Sequence, residues 1–371
     1  MSLKINPWRL LLKAGILFAA FNFAFTMLPT SSGNSVSLYN NLVPGRERLP
    51  FGENPTDAYN LSLFDIDAMF ASHIISDGLK SENEYRVVIV GDSSVWGTLL
   101  RPEETLSGQL NALNLTNADG KNIQTYNLGY PTISLTKDLL VLEKAMEYKP
   151  DLVIWMLTLE SLPADKQLTA PLVSHNPVRV RRLLADYELK LEFNSDALTH
   201  PTFWDTTLIG RRRSLADWSR LQFYGVMWGI TGIDQLYPET YEPAKIDFEE
   251  DNLFHDWAPS ELPLEELAFP VIGAAYSIAG NVPLILVNEP ILISDGVYSD
   301  IRYNYFYPRW AYDQYRNVFS DMSLENDWVY YDYWDIIPVD EFTNSAVHLS
   351  VAGEEILADI ISEMILFEAA R

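Results

Sequence analysis

Two residues near opposite ends of the chain have the types and the surroundings of a nucleophile and its general base. Ser93 follows the short apolar run 87–90, which ends at Gly91, so that the chain reads Gly-Asp-Ser at this point. His348 stands in a polar stretch shortly before the C-terminal end. A serine hydroxyl that passes its proton to a histidine can attack an acyl carbonyl carbon and form an acyl-enzyme. The pair therefore predicts esterase or acyl-transfer chemistry.

The element that precedes Ser93 decides whether its hydroxyl could meet a substrate. Residues 85–90 are rich in β-branched side chains and predict a strand that runs directly into Gly-Asp-Ser. In an open α/β sheet, ligands bind at the carboxyl ends of the strands, where the following N–H groups can face a developing negative charge. The structural alternative is that Ser93 only caps the next helical turn. We interpret Asp92 as a hydrogen-bond partner in this turn and not as a catalytic acid.

Strands and helices alternate from residue 85 onward, with His348 just before the last helix. The apolar runs predict strands at 85–90, 123–128, 151–157, 283–287 and 328–333. The helical spacing predicts helices at 103–113, 135–148, 264–279 (kinked or interrupted at Pro270), 307–319 and 351–369. This rhythm predicts a flavodoxin-like, three-layer α/β sandwich with a mostly parallel five-stranded sheet.

Residues 163–263 interrupt the alternation, because the segment is too long to be a single crossover. Its arginine and tryptophan content predicts a largely helical insertion that forms a cap near the site. Within it, residues 208–230 join a basic cluster to an aromatic, apolar stretch. One interpretation is a core helix with a solvated basic end. The other is a surface that touches lipid headgroups or an anionic glycan.

The N-terminal residues 1–30 predict a membrane anchor or a signal sequence. Lys4, Arg9 and Lys13 precede the apolar run 14–28, and the apolar stretch is just long enough to cross a bilayer if Lys13 reaches the interface. A cleaved signal peptide and a buried helix are the alternatives, although no small-x-small cleavage site follows. The basic N-terminal side predicts a cytoplasmic N-terminus and an extracytoplasmic main domain in a single-pass cell-membrane protein.

The remaining composition bounds partners and cofactors. Residues 31–83 are interpreted as a tether followed by a packing helix at 61–75, and residues 84–371 as the main domain. The net charge of −25 argues against nucleic acid as a partner. The chain has no cysteine, which excludes thiolate metal sites and a cysteine nucleophile. The five histidines show no metal-ligand spacing, so neither a metal nor a cofactor is predicted.

Three segments of the chain together resemble the SGNH (GDSL-type) hydrolase superfamily. They are Gly-Asp-Ser at Ser93 after the first strand, Gly129 after the second strand, and His-Leu-Ser-x-x-Gly at His348 before the last helix. The resemblance covers about residues 85–160 and 280–371. It implies that Ser93 is the nucleophile, that His348 is the base, and that the N–H groups of Ser93 and Gly129 form the oxyanion hole. The alternative is that Gly129 is only a turn glycine.

The sequence departs from the superfamily at two positions. After the third strand, where the superfamily has Gly-x-Asn-Asp, this chain reads Thr-Leu-Glu-Ser. The oxyanion hole would then rely on the N–H groups of Ser93 and Gly129, or on Thr158 or Ser161. Three residues before the histidine, where the superfamily has aspartate, this chain has Ser345. The histidine would then be oriented by Asn344, by Ser345, by a backbone carbonyl or by an acid from elsewhere, such as Glu289.

Membrane-anchored members of the superfamily that lack the Gly-x-Asn-Asp block are similar in architecture to this chain. The resemblance implies an extracytoplasmic serine esterase or O-acyltransferase that acts on an acylated cell-surface glycan or a small acyl ester. A membrane-bound O-acyltransferase is the implied protein partner. The alternative is a catalytically impaired module that binds glycan or scaffolds such an acyltransferase.

Overall fold

The five predicted strands form one parallel sheet. The computed structural model describes residues 6–27, 36–46, 52–54, 59–190, 202–235, 237, 240–259 and 261–370. The strands are β1 (Glu84–Gly91), β2 (Asn122–Gly129), β3 (Leu152–Leu157), β4 (Leu284–Asn288) and β5 (Val329–Asp332). Their spatial order is β2-β1-β3-β4-β5, and each neighbouring pair is parallel. The predicted fold class is confirmed.

Helices cover both faces of the sheet. In the described residues they are α1 (Pro7–Phe25), α2 (Leu38–Leu42), α3 (Ile66–Ala71), α4 (Ser93–Trp96), α5 (Leu106–Ala112), α6 (Leu135–Ala145), α7 (Pro171–His175), α8 (Pro177–Asp186), α9 (Arg212–Thr231), α10 (Pro270–Ala279), α11 (Arg309–Glu325) and α12 (Val351–Glu368).

Successive side chains of β1 pack into two hydrophobic layers on opposite faces of the sheet. Val88 and Val90 belong to the layer that includes α6 and α10, whereas Val87 and Ile89 belong to the layer that includes α5 and α12. Because every central strand is buried on both sides, its sequence is a continuous apolar run rather than an alternating one. The result is the three-layer sandwich that the sequence predicted.

Several predicted helix boundaries were wrong for local reasons. Pro270 does not kink a helix that starts at residue 264. It is the first residue of α10, where its fixed φ suits a helix start and its missing N–H costs nothing. The predicted helix 103–113 is a short 3-10 turn followed by α5, which Thr105 caps. The predicted helix 61–75 contains only α3, with single 3-10 turns at either side.

The predicted insertion is less helical than its composition suggested. Its described residues form α7, α8 and α9, but residues 240–259 contain little regular structure. The tether is described only in part, because residues 28–35, 47–51 and 55–58 lie outside the described residues. Within it, α2 packs against α9.

The N-terminal helix is the one helix of the described residues that is long and apolar enough to cross a membrane. α1 spans 19 residues, and 6% of its most apolar window is buried in the protein. Asn6 caps its start by accepting hydrogen bonds from the N–H groups of Trp8 and Arg9. The helix begins before the predicted run 14–28 and includes Lys13. Lys4 and the segment after Met27 lie outside the described residues.

Candidate active site

The structure brings the side chains of Ser93 and His348 together. Ser93 is the first residue of α4, directly after β1, and His348 lies in the loop that leads into α12. The Oγ of Ser93 is 2.8 Å from Nε2 of His348. Thr98 Oγ1 also lies near Nε2, at 3.3 Å. The first distance is that of a nucleophile and a base between which a proton can move directly.

Asn344 contacts the second ring nitrogen of His348. Its Oδ1 is 2.9 Å from Nδ1. An amide oxygen only accepts hydrogen bonds, so this contact places the proton on Nδ1 and leaves the lone pair of Nε2 facing Ser93. Ser345 does not orient the ring, because its hydroxyl is 2.9 Å from that of Tyr305. Burial lowers the pKa of His348 below its ordinary value, and the Asp92 carboxylate opposes this in part. The imidazole is therefore neutral at neutral pH.

Two glycines allow the short helix α4 to cross the ends of β1 and β2. Gly91 and Gly129 are register partners in the sheet. A Cβ atom on Gly91 would lie 2.5 Å from the side chain of Val95, and one on Gly129 would lie 2.2 Å from the backbone nitrogen of Trp96. Only glycine permits this close approach. Asp92 caps α4 by accepting from the N–H of Ser94 at 2.8 Å.

The residues predicted for the oxyanion hole have different partners. The N–H of Gly129 donates to Asn127 Oδ1 at 2.9 Å, a contact that the sequence did not indicate. The hydroxyl of Thr158 is buried and lies 2.9 Å from that of Tyr307. Ser161 Oγ accepts from the N–H of Thr158. Among the hydrogen bonds of the described residues, none takes up the N–H of Ser93.

A fully buried lysine supports the turns on which these groups stand. The Nζ of Lys137, on α6, donates to the carbonyl oxygen of Gly91 at 2.6 Å and to that of Tyr130 at 3.2 Å. It also pairs with the Asp138 carboxylate. Burial raises the pKa of Asp138 to about 6, although the Lys137 ammonium opposes the shift. Lys137 therefore ties the end of β1 to the loop after β2. The sequence reasoning missed it, because a charged residue in an amphipathic helix normally lies at the surface.

Two further carboxyl groups are buried beneath α4. Glu289, at the end of β4, accepts a hydrogen bond from the hydroxyl of Ser94, not from the histidine. Burial, with the neighbouring Asp92 carboxylate, raises the pKa of Glu289 well above its ordinary value. Glu354, on α12, shares with Glu289 a cavity of about 10 Å³, close to the volume that one water needs. Glu289 is thus a neutral, structural group in this arrangement.

The stability of the fold should fall with rising pH because of Glu354. Burial raises the pKa of Glu354 from 4.5 to about 8. Between these values the folded state holds a proton that the unfolded chain has released, so the free energy of unfolding declines by about 1.4 kcal/mol per pH unit for this group. The contribution is complete below the lower value and is lost as pH rises through the upper one. Glu354→Gln, measured by urea denaturation across this range, should flatten the decline, whereas the exposed neighbour variant Glu355→Gln should keep it. Equal slopes in all three proteins would contradict the prediction.

A larger cavity opens at the same edge of the sheet as Ser93. It measures about 320 Å³ and is lined by Thr132, Ile133, Glu160, Lys166, Thr169, Ala170, Pro171 and Phe306. Thr132 follows β2 and Glu160 follows β3, and these strands lie on either side of β1. The cavity therefore lies at the edge of the sheet that carries Ser93, and neither Ser93 nor His348 lines it.

The polar lining of this cavity centres on one carboxylate. Glu160 pairs with the ammonium of Lys166 and lies 3.2 Å from His255 Nε2. Burial lowers the pKa of Lys166 to about 8. The pKa of His255 is lowered as well, first by burial and then by the Lys166 charge. The hydroxyl of Thr132 is buried and has no hydrogen-bond partner among the described residues. Glu160 lies in the Thr-Leu-Glu-Ser block, which differs from the Gly-x-Asn-Asp block of the superfamily. The sequence gave no signal of the partners of Glu160.

Known structures resemble the chain in outline. An acetylxylan esterase from Geobacillus stearothermophilus is 15% identical, with 77% of this chain and 96% of that chain covered at a TM-score of 0.36. A G-D-S-L family lipolytic protein from Desulfitobacterium hafniense is 14% identical, with 75% and 98% covered at 0.33. The aryl esterase of M. smegmatis is 14% identical, with 76% and 97% covered at 0.33.

No family model matches the chain. No curated protein matches it either. The likeness to these structures is confined to the outline of the fold.

Proposed function

We propose that this protein is a serine esterase or O-acyltransferase. The observation that carries the proposal is the hydrogen-bonded series in which Ser93 Oγ lies 2.8 Å from His348 Nε2 and Asn344 Oδ1 lies 2.9 Å from His348 Nδ1. A nucleophile, a base and a group that orients the base are the three parts that acyl transfer through a serine requires.

In the proposed reaction, Ser93 Oγ attacks the carbonyl carbon of an acyl ester while His348 Nε2 takes the hydroxyl proton. The tetrahedral oxyanion accepts a hydrogen bond from the N–H of Ser93. The ester C–O bond then breaks, and His348 returns the proton to the departing alcohol oxygen. Water or a glycan hydroxyl attacks the acyl-enzyme with His348 as base, which releases the acid or the new ester and restores Ser93. Gly129 can contribute its N–H only when the bond to Asn127 is broken.

The cavity at the same edge of the sheet as Ser93 supports an ester of a hydroxyl-rich molecule, such as a glycan, as the substrate. Its carboxylate, Glu160, can accept from sugar hydroxyls. Phe306 provides an apolar wall. The paired Lys166 nearly neutralises Glu160, which favours an uncharged ligand over an anionic one.

We propose an extracytoplasmic, membrane-anchored location for this activity, with residues 1–30 as anchor, 31–83 as connection and 84–371 as catalytic domain. The length and apolar composition of α1 support the anchor. Basic residues before the apolar core support a cytoplasmic N-terminus. A membrane-bound O-acyltransferase is the proposed protein partner.

A second candidate is a catalytically impaired module that binds glycan or scaffolds an acyltransferase. It is favoured by the amide of Asn344 where a carboxylate would stabilise the imidazolium better, and by the occupied N–H of Gly129. A fluorophosphonate probe separates the candidates. Covalent labelling of the wild type that is lost in Ser93→Ala supports the enzyme, whereas glycan binding without labelling supports the module.

Asn344→Asp should raise the activity. A carboxylate 2.9 Å from Nδ1 would stabilise the imidazolium that forms as Ser93 loses its proton, whereas the amide only holds the tautomer. We expect kcat for a small acyl ester to rise about tenfold, and the acidic limb of the kcat/KM profile to move to higher pH because the pKa of His348 rises. Asn344→Ala should lower kcat. A pH–rate profile that is identical in all three proteins would show that Asn344 does not act through His348.

A further inference from the structure

The C-terminal end of α1 is fixed against the segment that leads into α9. The N–H of Ile209 lies 3.3 Å from Asn22 Oδ1, and Asn22 is buried, unlike most of α1. The ring of Phe23 lies 6.2 Å from that of Phe203. If α1 crosses a bilayer, as the proposed location states, this contact holds the start of α9 at the bilayer surface.

α9 exposes an apolar stripe that no described residue covers. Its buried side includes Leu221 and Gly225, which face α2 and the adjoining 3-10 turn. Phe223, Met227 and Ile230 are spaced four and three residues apart, so they share one face of the helix. Their side chains are 62%, 40% and 74% exposed. A helix on the surface of a soluble domain normally shows polar residues on its outer face.

The residues around the start of α9 have the composition of a membrane interface. Arg211, Arg212 and Arg213 are consecutive, and Trp204 is 74% exposed beside them. Tryptophan and arginine are enriched where a protein meets lipid headgroups. The chain has a net charge of −25, so an anionic membrane repels most of its surface. The membrane attracts this basic segment.

We propose that α9 lies in the lipid–water interface of the membrane that α1 crosses. The stripe formed by Phe223, Met227 and Ile230 inserts at the boundary of headgroups and acyl chains, and the three arginines contact anionic headgroups. The inference rests on the proposed membrane location. α9 packs on the 3-10 turn Tyr59–Leu61 and through Leu221 on α3, whose residues Met69 and Phe70 belong to the main core. The membrane contact would therefore hold the catalytic domain in one orientation against the bilayer. Of the two interpretations of residues 208–230, the proposal selects the lipid-facing surface.

The absence of cysteine in the chain permits a direct test with single nitroxide labels. The full chain is placed in vesicles of phosphatidylcholine and phosphatidylglycerol, with a label at Phe223→Cys or Ile230→Cys. Leu17→Cys on α1 is the lipid control, and Leu324→Cys, which is 77% exposed on α11, is the water control. Electron paramagnetic resonance measures the accessibility of each label to oxygen, which enters lipid, and to a water-soluble nickel chelate.

We expect the labels on α9 to resemble Leu17→Cys in favouring oxygen over the nickel chelate, and Leu324→Cys to favour the chelate. If Leu17→Cys favours the chelate, the membrane location itself is wrong. If Leu17→Cys favours oxygen while Ile230→Cys favours the chelate, only the inference about α9 is overturned. Shielding of Ile230→Cys from both reagents would also overturn it, because the stripe would then contact protein and not lipid.

Discussion

Ser93→Ala should reduce kcat for a small ester such as p-nitrophenyl acetate by about 10³-fold or more, to the level left by binding and oxyanion contacts alone. The substitution removes the Oγ that lies 2.8 Å from His348 Nε2 and leaves the fold intact, because Ser93 is only half-buried at the start of α4. Steady-state kinetics and fluorophosphonate labelling of the same preparations measure the loss.

A double variant that combines Ser93→Ala with His348→Ala makes this experiment specific to the proposed mechanism. His348→Ala should cost about as much as Ser93→Ala, and the two together should cost no more, since a nucleophile and its base act as one unit. Ser277→Ala, whose hydroxyl only bonds within α10, is the matched control and should match the wild type. Undiminished activity in Ser93→Ala would exclude the proposed nucleophile, and independent, multiplying losses would exclude the proposed pairing.

The largest effect on stability should come from Lys137→Met. The ammonium of Lys137 is fully buried and donates to two backbone carbonyls and to Asp138. Its removal leaves a buried carboxyl group without its partner, so we expect the free energy of unfolding to fall by about 3–5 kcal/mol. Urea denaturation measures the loss, and the exposed Lys245→Met should change the value by less than about 0.5 kcal/mol.

A second variant separates the charge pair from the packing. Lys137→Met combined with Asp138→Leu removes both charges and fills the same space with apolar atoms, which often restores stability. We expect the double variant to recover a large part of the loss, but not all of it, because the carbonyls of Gly91 and Tyr130 lose the ammonium as second donor and keep one backbone N–H each. A double variant that is less stable than Lys137→Met would contradict the pairing of Lys137 with Asp138.

The positions of the strands were predictable because a buried parallel strand has a local signature. The run 152–157 is apolar in every position, and the structure places it at the centre of the sheet. Helix starts were less predictable, since Pro270 is compatible with both a kink and a first turn. Which of these occurs depends on the chain before it, where Leu264–Glu266 forms a separate 3-10 turn.

The close approach of elements was not predictable from the sequence. Gly129 was singled out as an oxyanion donor, yet in the structure its missing side chain makes room for the backbone of Trp96, and its N–H is bonded to Asn127. The sequence shows the same residue type whether the glycine donates to an oxyanion or makes room for a neighbouring backbone. Only the distance between α4 and the end of β2 reveals the packing role, and that distance depends on how the layers assemble.

The sequence by itself determined the sheet and the two residues that carry the proposed chemistry, because strand runs, Gly-Asp-Ser and the His-Leu-Ser block are all local patterns. Only the tertiary structure decided which side chains surround them. It selected Asn344 among several open partners of His348, buried Lys137 beneath the nucleophile, and set the carboxylate of Glu160 between Lys166 and His255. The contacts of Lys137 with Gly91 and of Glu160 with His255 join segments that are distant in the sequence. The burial that lowers the pKa values of His348, Lys166 and His255 exists only once the layers have packed.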